Sequence, residues 1–181
     1  MEQKDYKLEI ILLLINNRCH VRGLAKELNI NHMTVFRNIK NLSEENVVDY
    51  IQEGKNKIYF LKETIEARAY FLIAENYKLM KLLEKYPHLR KIIEKIQEDK
   101  KIKLAILFGS YVKGLAKKGS DIDIYIEVLD QKIKKELELC SSQLSVKIGK
   151  YDKKSLLIKE IEKNHVIIKG GEIFYGKYKF S

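Results

Sequence analysis

The sequence predicts an α+β protein in two parts: a small helical part that ends in a β-hairpin, and a second part with a mixed sheet flanked by helices. Three observations support this. Apolar residues recur at helical spacing through residues 5–44. Two short strand patterns follow at residues 47–52 and 58–61, with a polar turn at residues 54–57 between them. Further along, residues 104–108 and 121–128 predict two strands of a separate sheet.

The first part is predicted to contain three helices before its hairpin. Leu8, Ile11 and Ile15 place one apolar face on a helix over residues 5–16. A short second helix covers residues 22–28. Asn31 is a good N-cap for a third helix over residues 32–44. The third helix is expected to bury Val35, Ile39 and Leu42.

Three helices followed by a hairpin predict a winged helix-turn-helix, and residues 21–37 resemble the helix-turn-helix of archaeal and bacterial transcription regulators. This resemblance implies binding to double-stranded DNA, with the third helix in the major groove and the hairpin along the backbone. Arg37 is expected to read guanine, and Thr34 to contact phosphate. The candidate DNA contacts are His32, Thr34, Phe36, Arg37 and Lys40 on the helix, with Lys55 and Lys57 on the hairpin, and Met33 is expected on the same outward face. A second interpretation is a module for protein contact or dimerisation, because residues 1–62 carry a net charge of only +2 and Phe36 is awkward on a DNA face.

A helical linker is predicted between the two parts. Residues 64–85 form one long helical pattern, and Pro87, the single proline, ends it. Another helix is expected over residues 88–100. We therefore divide the chain into a winged helix-turn-helix over residues 1–62, a linker and dimerisation helix over residues 63–86, and a third segment over residues 87–181, with a homodimer as one outcome.

The third segment carries the motif with the clearest chemistry. Gly109-Ser110 follows the apolar strand at a predicted strand-to-helix turn, where backbone N–H groups and a hydroxyl suit a triphosphate. Asp121 and Asp123 are two residues apart in the next strand, so both carboxylates point to one face, roughly 6.5 Å apart at Cα. Oxygen ligands of this kind suit Mg²⁺ shared with substrate phosphates.

Gly109-Ser110, Gly114, Ser120-Asp121 and Asp123 follow a Gly-Ser…Gly…Ser-Asp-x-Asp pattern. In this they resemble the DNA polymerase beta-like nucleotidyltransferase superfamily, in particular its minimal members. The resemblance implies Mg²⁺-dependent transfer of a nucleoside monophosphate from a triphosphate to a hydroxyl of an RNA, a protein or a small molecule. It implies that Asp121 and Asp123 bind the metal and are the catalytic residues. It implies that Gly109 and Ser110 hold the phosphates. We add Gly114, Ser120 and Lys147 to the predicted nucleotide-binding residues, with pairing to Asp123 as the alternative for Lys147.

The pattern departs from the family at the strand after the next helix, where active members usually carry a third acid. Residues 144–149 contain none, and we expect Ser145 and Lys147 on the active-site face. Asp152 is expected in a loop, and Glu127 too far along its strand. A lysine in place of a carboxylate repels metal, so we expect nucleotide binding with poor transfer. Two interpretations stay open: an enzyme, or a transcription regulator whose inactive second domain senses nucleotide or dimerises.

Composition narrows the class of protein further. No apolar run approaches the roughly 18 residues of a membrane span. Cys19 and Cys140 lack metal-ligand spacing and suit a cytoplasmic protein without a signal peptide. Residues 101–181 carry +7 of the net charge of +10, as a polyanionic substrate favours, although 30 lysines against 5 arginines also fit a thermophile bias.

The remaining predicted elements are helices over residues 131–142 and 153–163 and extended pieces at residues 166–168 and 172–175. Tyr111 and Tyr125 are expected to pack, with base stacking as the alternative.

Overall fold

The computed structural model describes residues 4–178, which divide into two compact units, one up to Tyr77 and one over Lys78–Tyr178. The helices of the first unit are α1 (Tyr6–Asn16), α2 (Val21–Leu28) and α3 (His32–Glu44). Its strands are β1 (Val48–Glu53) and β2 (Asn56–Leu61), which pair antiparallel. The division falls inside the long helix α4 (Ile65–Lys85). The three-part division that the sequence predicts stays a prediction.

The first unit is a winged helix-turn-helix, as predicted. Asn31 caps α3, and its side chain accepts a hydrogen bond of 2.8 Å from the backbone N–H of Met33. Val35, Ile39 and Leu42 are buried on the inner face of α3, which confirms the predicted periodicity. The hairpin turn is tighter than predicted, because β1 and β2 already pair at Glu53 and Asn56.

The second unit contains four strands and four helices after α4. A 3₁₀ turn at Pro87–Leu89 leads into α5 (Arg90–Glu98). The later helices are α6 (Gln131–Glu138), α7 (Leu156–Lys163) and α8 (Gly171–Lys177). The strands are β3 (Ala105–Phe108), β4 (Ile122–Ile126), β5 (Leu144–Ile148) and β6 (Val166–Lys169), in the order β5-β4-β3-β6. The β4–β5 pair is parallel and the other pairs are antiparallel, so the sheet is mixed, as predicted.

The two faces of this sheet have different surroundings. On one face, Leu107, Ile122 and Ile124 join a buried cluster with Ile93 of α5 and Ile133 of α6. Asp121 and Asp123 alternate with Ile122 and Ile124, so their side chains point to the other face. The alternation of the strand therefore separates the acids from this core.

Two sequence predictions in this unit are wrong. Residues 172–175 were expected to be extended, but they lie in α8, where Phe174 is fully buried. The segment after Ser110 was expected to begin a helix, but residues 109–114 form turns. Hydrogen bonds from Lys113 N to Gly109 O and from Leu115 N to Ser110 O, of 3.2 and 2.9 Å, hold these turns together.

Candidate functional site

Asp121 immediately precedes β4 and Asp123 is its second residue, so the two aspartates lie on the same side of the strand. Ile122 between them is 1% exposed and belongs to the core on the opposite face. Asp121 is exposed and Asp123 is half-buried. Burial raises the pKa of Asp123, and the neighbouring Asp121 charge raises it further. The acids are therefore close enough to repel each other, which is the arrangement that a shared cation relieves.

Gly109 lies directly against the carboxylate of Asp123. Phe108 and Asp123 are partners in the β3–β4 pair, and the chain then turns at Gly109 with φ +78°. A Cβ atom built on Gly109 would lie 2.5 Å from Asp123 Oδ2. Both the backbone angle and this close approach require glycine. The glycine-serine corner and the acid thus form one site.

The other predicted phosphate-binding residues lie in the loop that joins β3 to β4. Ser110 is half-buried next to Gly109. Gly114 has φ +70°, and its carbonyl accepts a long hydrogen bond of 3.4 Å from Lys85 Nζ. The Ser120 hydroxyl accepts a hydrogen bond of 2.8 Å from the backbone N–H of Lys117. Ser120 therefore shapes the end of the loop, immediately before Asp121.

A hydroxyl stands beside Asp123 on the neighbouring strand, where the third acid was sought. In the β4–β5 register Asp123 is opposite Ser145, and Tyr125 is opposite Lys147. The Ser145 side chain hydrogen-bonds to Asp123, and the exposed Lys147 also lowers the pKa of Asp123, although burial and Asp121 outweigh both. Among residues 4–178 no group of three His, Cys, Asp or Glu side chains is placed to hold a metal ion.

The two alternative acids weighed in the sequence are used elsewhere. Glu127 forms an ion pair of 2.9 Å with Lys177 and accepts a hydrogen bond from the backbone N–H of Tyr151. Asp152 lies in a loop and accepts a hydrogen bond from the backbone N–H of Lys154. Neither carboxylate takes part in the site at Asp123.

Sequence reasoning missed one acid and one base near the site. The charge of Glu160, on α7, raises the pKa of Asp123. Glu160 is exposed and forms an ion pair of 3.0 Å with Lys113 of the loop after Ser110. No sequence spacing links Glu160 to the motif, because only packing of α7 on the acid face brings it there. Lys113 lies inside the motif and was the available signal.

The predicted DNA-reading face of α3 is open to solvent within the first unit. Met33 and Phe36 are 45% and 46% exposed. His32, Arg37 and Lys40 are exposed as well, and Thr34 is half-buried. Lys40 forms a weak ion pair of 3.8 Å with Glu44 in the same helix.

The hairpin adds two exposed lysines. Lys55 lies in the turn, and Lys57 follows in β2. The Lys57 ammonium lies 4.0 Å from the centre of the Tyr50 ring, which holds it as a cation–π pair. The surface formed by α3 and the hairpin therefore has the residue types of a nucleic-acid contact, with two large apolar side chains among them.

Comparison with known proteins gives one family match. Residues 90–179 match the family model of polymerase beta, nucleotidyltransferase. A search of curated proteins found no significant match to this chain.

Each helix within residues 4–178 is too short or too polar to cross a lipid bilayer.

Two solved structures illustrate the weaker structural likenesses. One is a homodimeric winged helix-turn-helix DNA-binding domain from Mycobacterium bovis, titled a possible ArsR-family transcriptional regulator. It has 24% identity over 39% of this chain, a TM-score of 0.36, and the alignment spans 66% of that domain's length. The other is a toxin-antitoxin with AMP-PNP, with 28% identity over 57% of this chain and 82% of that chain and a TM-score of 0.34. At TM-scores this low, neither likeness defines the fold or function of this chain.

Proposed function

We propose, from the match of residues 90–179 to the family model of polymerase beta, nucleotidyltransferase, that the second unit binds a Mg²⁺–nucleoside triphosphate and transfers its nucleoside monophosphate to a hydroxyl. The observation that carries the proposal is the contact between the Gly109 corner and the Asp123 carboxylate, with Asp121 on the same face. The acceptor is an RNA, a protein or a small molecule.

The donor set fits Mg²⁺. Asp121 and Asp123 offer carboxylate oxygens on one face, and their mutual repulsion favours a cation between them. Hard oxygen ligands, with the rest supplied by water and phosphate, are what Mg²⁺ prefers. When bound, the ion neutralises the charge of the triphosphate and polarises its phosphorus–oxygen bonds.

The chain's own residues position the nucleotide. Gly109, without a side chain, lets a phosphate approach the backbone beside Asp123. The Ser145 side chain lowers the pKa of Asp123 and so favours its ionised form. Lys147 and Lys113 place positive charge around the same face, where they attract phosphate oxygens.

Transfer is expected to be slow relative to binding. Ser145, rather than a carboxylate, stands beside Asp123, so the site lacks the acid that would hold a second ion and activate the acceptor hydroxyl. The same observation favours the second candidate function, a regulator whose nucleotidyltransferase domain is a nucleotide sensor or a dimerisation platform.

Labelled nucleotide distinguishes the two functions. The full chain is incubated with Mg²⁺, α-³²P-labelled ATP or CTP, and cell extract as the source of acceptors. The enzyme hypothesis predicts label transfer that disappears in Asp121→Asn/Asp123→Asn. Absence of transfer by the wild type, or equal transfer by the variant, leaves the sensor function.

We propose that the first unit binds double-stranded DNA through α3 and the hairpin, with Arg37 as the main base contact. Support comes from the exposed basic side chains of Arg37, Lys55 and Lys57. On a 30-base-pair duplex of random sequence, affinity is expected to fall steeply with salt, and to fall about tenfold or more in Arg37→Ala. Arg90→Ala, which removes an exposed arginine of the other unit, is the matched control. Binding insensitive to salt and to Arg37 would favour the protein-contact interpretation.

Dimerisation and location complete the proposal. Within the first unit α4 leaves Ile65 and Ile73 85% and 50% exposed, which suits the homodimer expected from the linker helix. Sedimentation of wild type and Ile73→Glu measures the oligomeric state: a dimer that becomes monomeric in the variant supports this role of α4.

The free thiols of Cys19 and Cys140 fit the cytoplasmic location predicted from the sequence.

A further inference from the structure

A cavity in the second unit has part of its wall on the sheet face opposite the acids. Its volume is about 500 Å³, which is in the usual range for small-molecule sites. Tyr111 lines it and belongs to the same buried cluster as Ile122, on the face opposite Asp121 and Asp123. The complete lining is Tyr86, His88, Tyr111, Ala116, Lys117, Lys118, Gly119 and Gln143.

One wall of this cavity consists of three rings that hold one another in place. The Tyr86 and Tyr111 rings meet edge to face, with centroids 4.9 Å apart. The His88 ring lies 5.7 Å from Tyr111, and its Nε2 is 3.2 Å from the Tyr111 hydroxyl. Aromatic and imidazole rings that are already fixed suit a planar ligand, because few rotamers are lost on binding.

Tyr86, one of the lining residues, also carries an unused hydrogen-bonding group. The Tyr86 hydroxyl oxygen is buried and has no hydrogen-bond partner within the described part of the chain. Leaving a buried hydroxyl unpaired is costly, so such groups call for a specific explanation. The Tyr111 hydroxyl, in contrast, already has His88. A polar ligand atom in the cavity would supply the partner that Tyr86 lacks.

The other lining residues suit an anion with a hydrogen-bonding edge. Lys117 and Lys118 are exposed, and the lining contains no acid. Neither lysine forms an ion pair with any residue from 4 to 178. The half-buried Gln143 contributes a carboxamide, which can donate and accept at once.

We propose that this cavity is a binding site for a nucleoside monophosphate group, separate from the Mg²⁺–triphosphate site. The base packs against Tyr86 and His88 and hydrogen-bonds Gln143, and Lys117 and Lys118 bind the phosphate. Such a group comes either from a free nucleotide or from the end of a single-stranded nucleic acid. The site uses neither Asp121 nor Asp123, so its test does not depend on the proposed transferase function.

The test measures binding of AMP to the full chain by calorimetry, in EDTA so that no Mg²⁺ is present. The expected result is saturable binding of AMP and much weaker binding of ribose 5-phosphate, which lacks the base. Asp121→Asn/Asp123→Asn should bind AMP as the wild type does. Absence of AMP binding in EDTA, equal binding of ribose 5-phosphate, or loss of binding in the aspartate variant overturns the proposal.

Variants of the lining locate the ligand. Lys117→Ala/Lys118→Ala and His88→Ala should each weaken AMP binding about tenfold. Tyr86→Phe keeps the ring and removes only the unpaired hydroxyl, so it should weaken binding severalfold with an unchanged melting temperature or a higher one. Lys132→Ala/Lys135→Ala removes two exposed lysines from α6 and is the matched control, expected to bind normally. An equal loss in the control variant would show a general charge effect and contradict the site.

The same variants identify the source of the group. A four-nucleotide single strand of adenylate is compared with AMP under identical conditions. Tighter binding of the strand, with the same sensitivity to Lys117 and Lys118, assigns the site to a nucleic-acid end. Equal or weaker binding assigns it to the free nucleotide. Both outcomes retain the site, whereas binding of either ligand that ignores both lysines rejects it.

Discussion

Replacing Gly109 by alanine tests whether the glycine-serine corner and Asp123 form one site. The change adds a single methyl group at a residue with φ +78°. The new Cβ would meet Asp123 Oδ2 at 2.5 Å and Asp123 Cβ at 3.4 Å. Only the first of these contacts is shorter than real side chains tolerate, so the carboxylate must rotate away.

The expected cost has two parts. An alanine in the left-handed region costs roughly 1–2 kcal/mol, and an Asp123 side chain forced away from its rotamer costs about 0.5–1.5 kcal/mol more. Gly119→Ala provides the matched control, because Gly119 has φ +91° and an added Cβ would meet nothing within 4 Å. It should cost the backbone strain alone, roughly 1–2 kcal/mol.

A double-mutant cycle isolates the contact. In an Asp123→Ala background the oxygen is gone, so Gly109→Ala should cost only the backbone strain. The coupling energy between the two substitutions should therefore be about 0.5–1.5 kcal/mol. Scanning calorimetry of the full chain measures this, and a coupling of about 1 kcal/mol corresponds to a shift of roughly 2–4 °C in Tm. If Gly109→Ala is no more destabilising than Gly119→Ala, or is unaffected by Asp123→Ala, the corner does not touch the acid.

Two further predictions concern stability. Without Mg²⁺, Asp123→Asn should raise Tm at neutral pH: the pKa of Asp123 is higher in the folded than in the unfolded chain, so its ionisation costs stability above that pKa. The gain should vanish below the unfolded value of about 3.9, and a gain that persists in acid would contradict the sign. Gly170→Ala should cost roughly 3 kcal/mol or more in chemical unfolding, because its Cβ would meet the Lys103 carbonyl oxygen at 2.2 Å and its φ is +82°. Gly176→Ala, inside α8 with nothing near the added Cβ, should be neutral or stabilising.

Strong local patterns made the first unit and the acid pair predictable. The buried positions Val35, Ile39 and Leu42 follow helical spacing, and the N-cap at Asn31 was visible in the sequence. Asp121 and Asp123 share a face because a strand alternates, which needs no tertiary information. The parity argument for β5 also placed Ser145 on the same face as Asp123, and the register puts it opposite Asp123.

The features that sequence reasoning missed depend on packing between distant segments. In α8, Ile173, Phe174 and Tyr175 favour strand locally, but full burial of Phe174 stabilises a short helix that local preference does not predict. Glu160 approaches Asp123 only because α7 packs near the acid face. The cavity lined by Tyr86 and Gln143 likewise joins residues that no spacing connects.

Calorimetric binding of Mg²⁺–ATP to the full chain is the most direct test of the site at Gly109 and Asp123. The wild type should bind ATP with Mg²⁺, and Asp121→Asn/Asp123→Asn should lose the Mg²⁺-dependent part while any Mg²⁺-independent binding of AMP remains. Binding would also raise Tm, because a ligand at 100 times its Kd stabilises the folded chain by about 2.7 kcal/mol. If ATP binds equally with and without Mg²⁺, or equally to the variant, the two aspartates do not hold a metal-bound nucleotide.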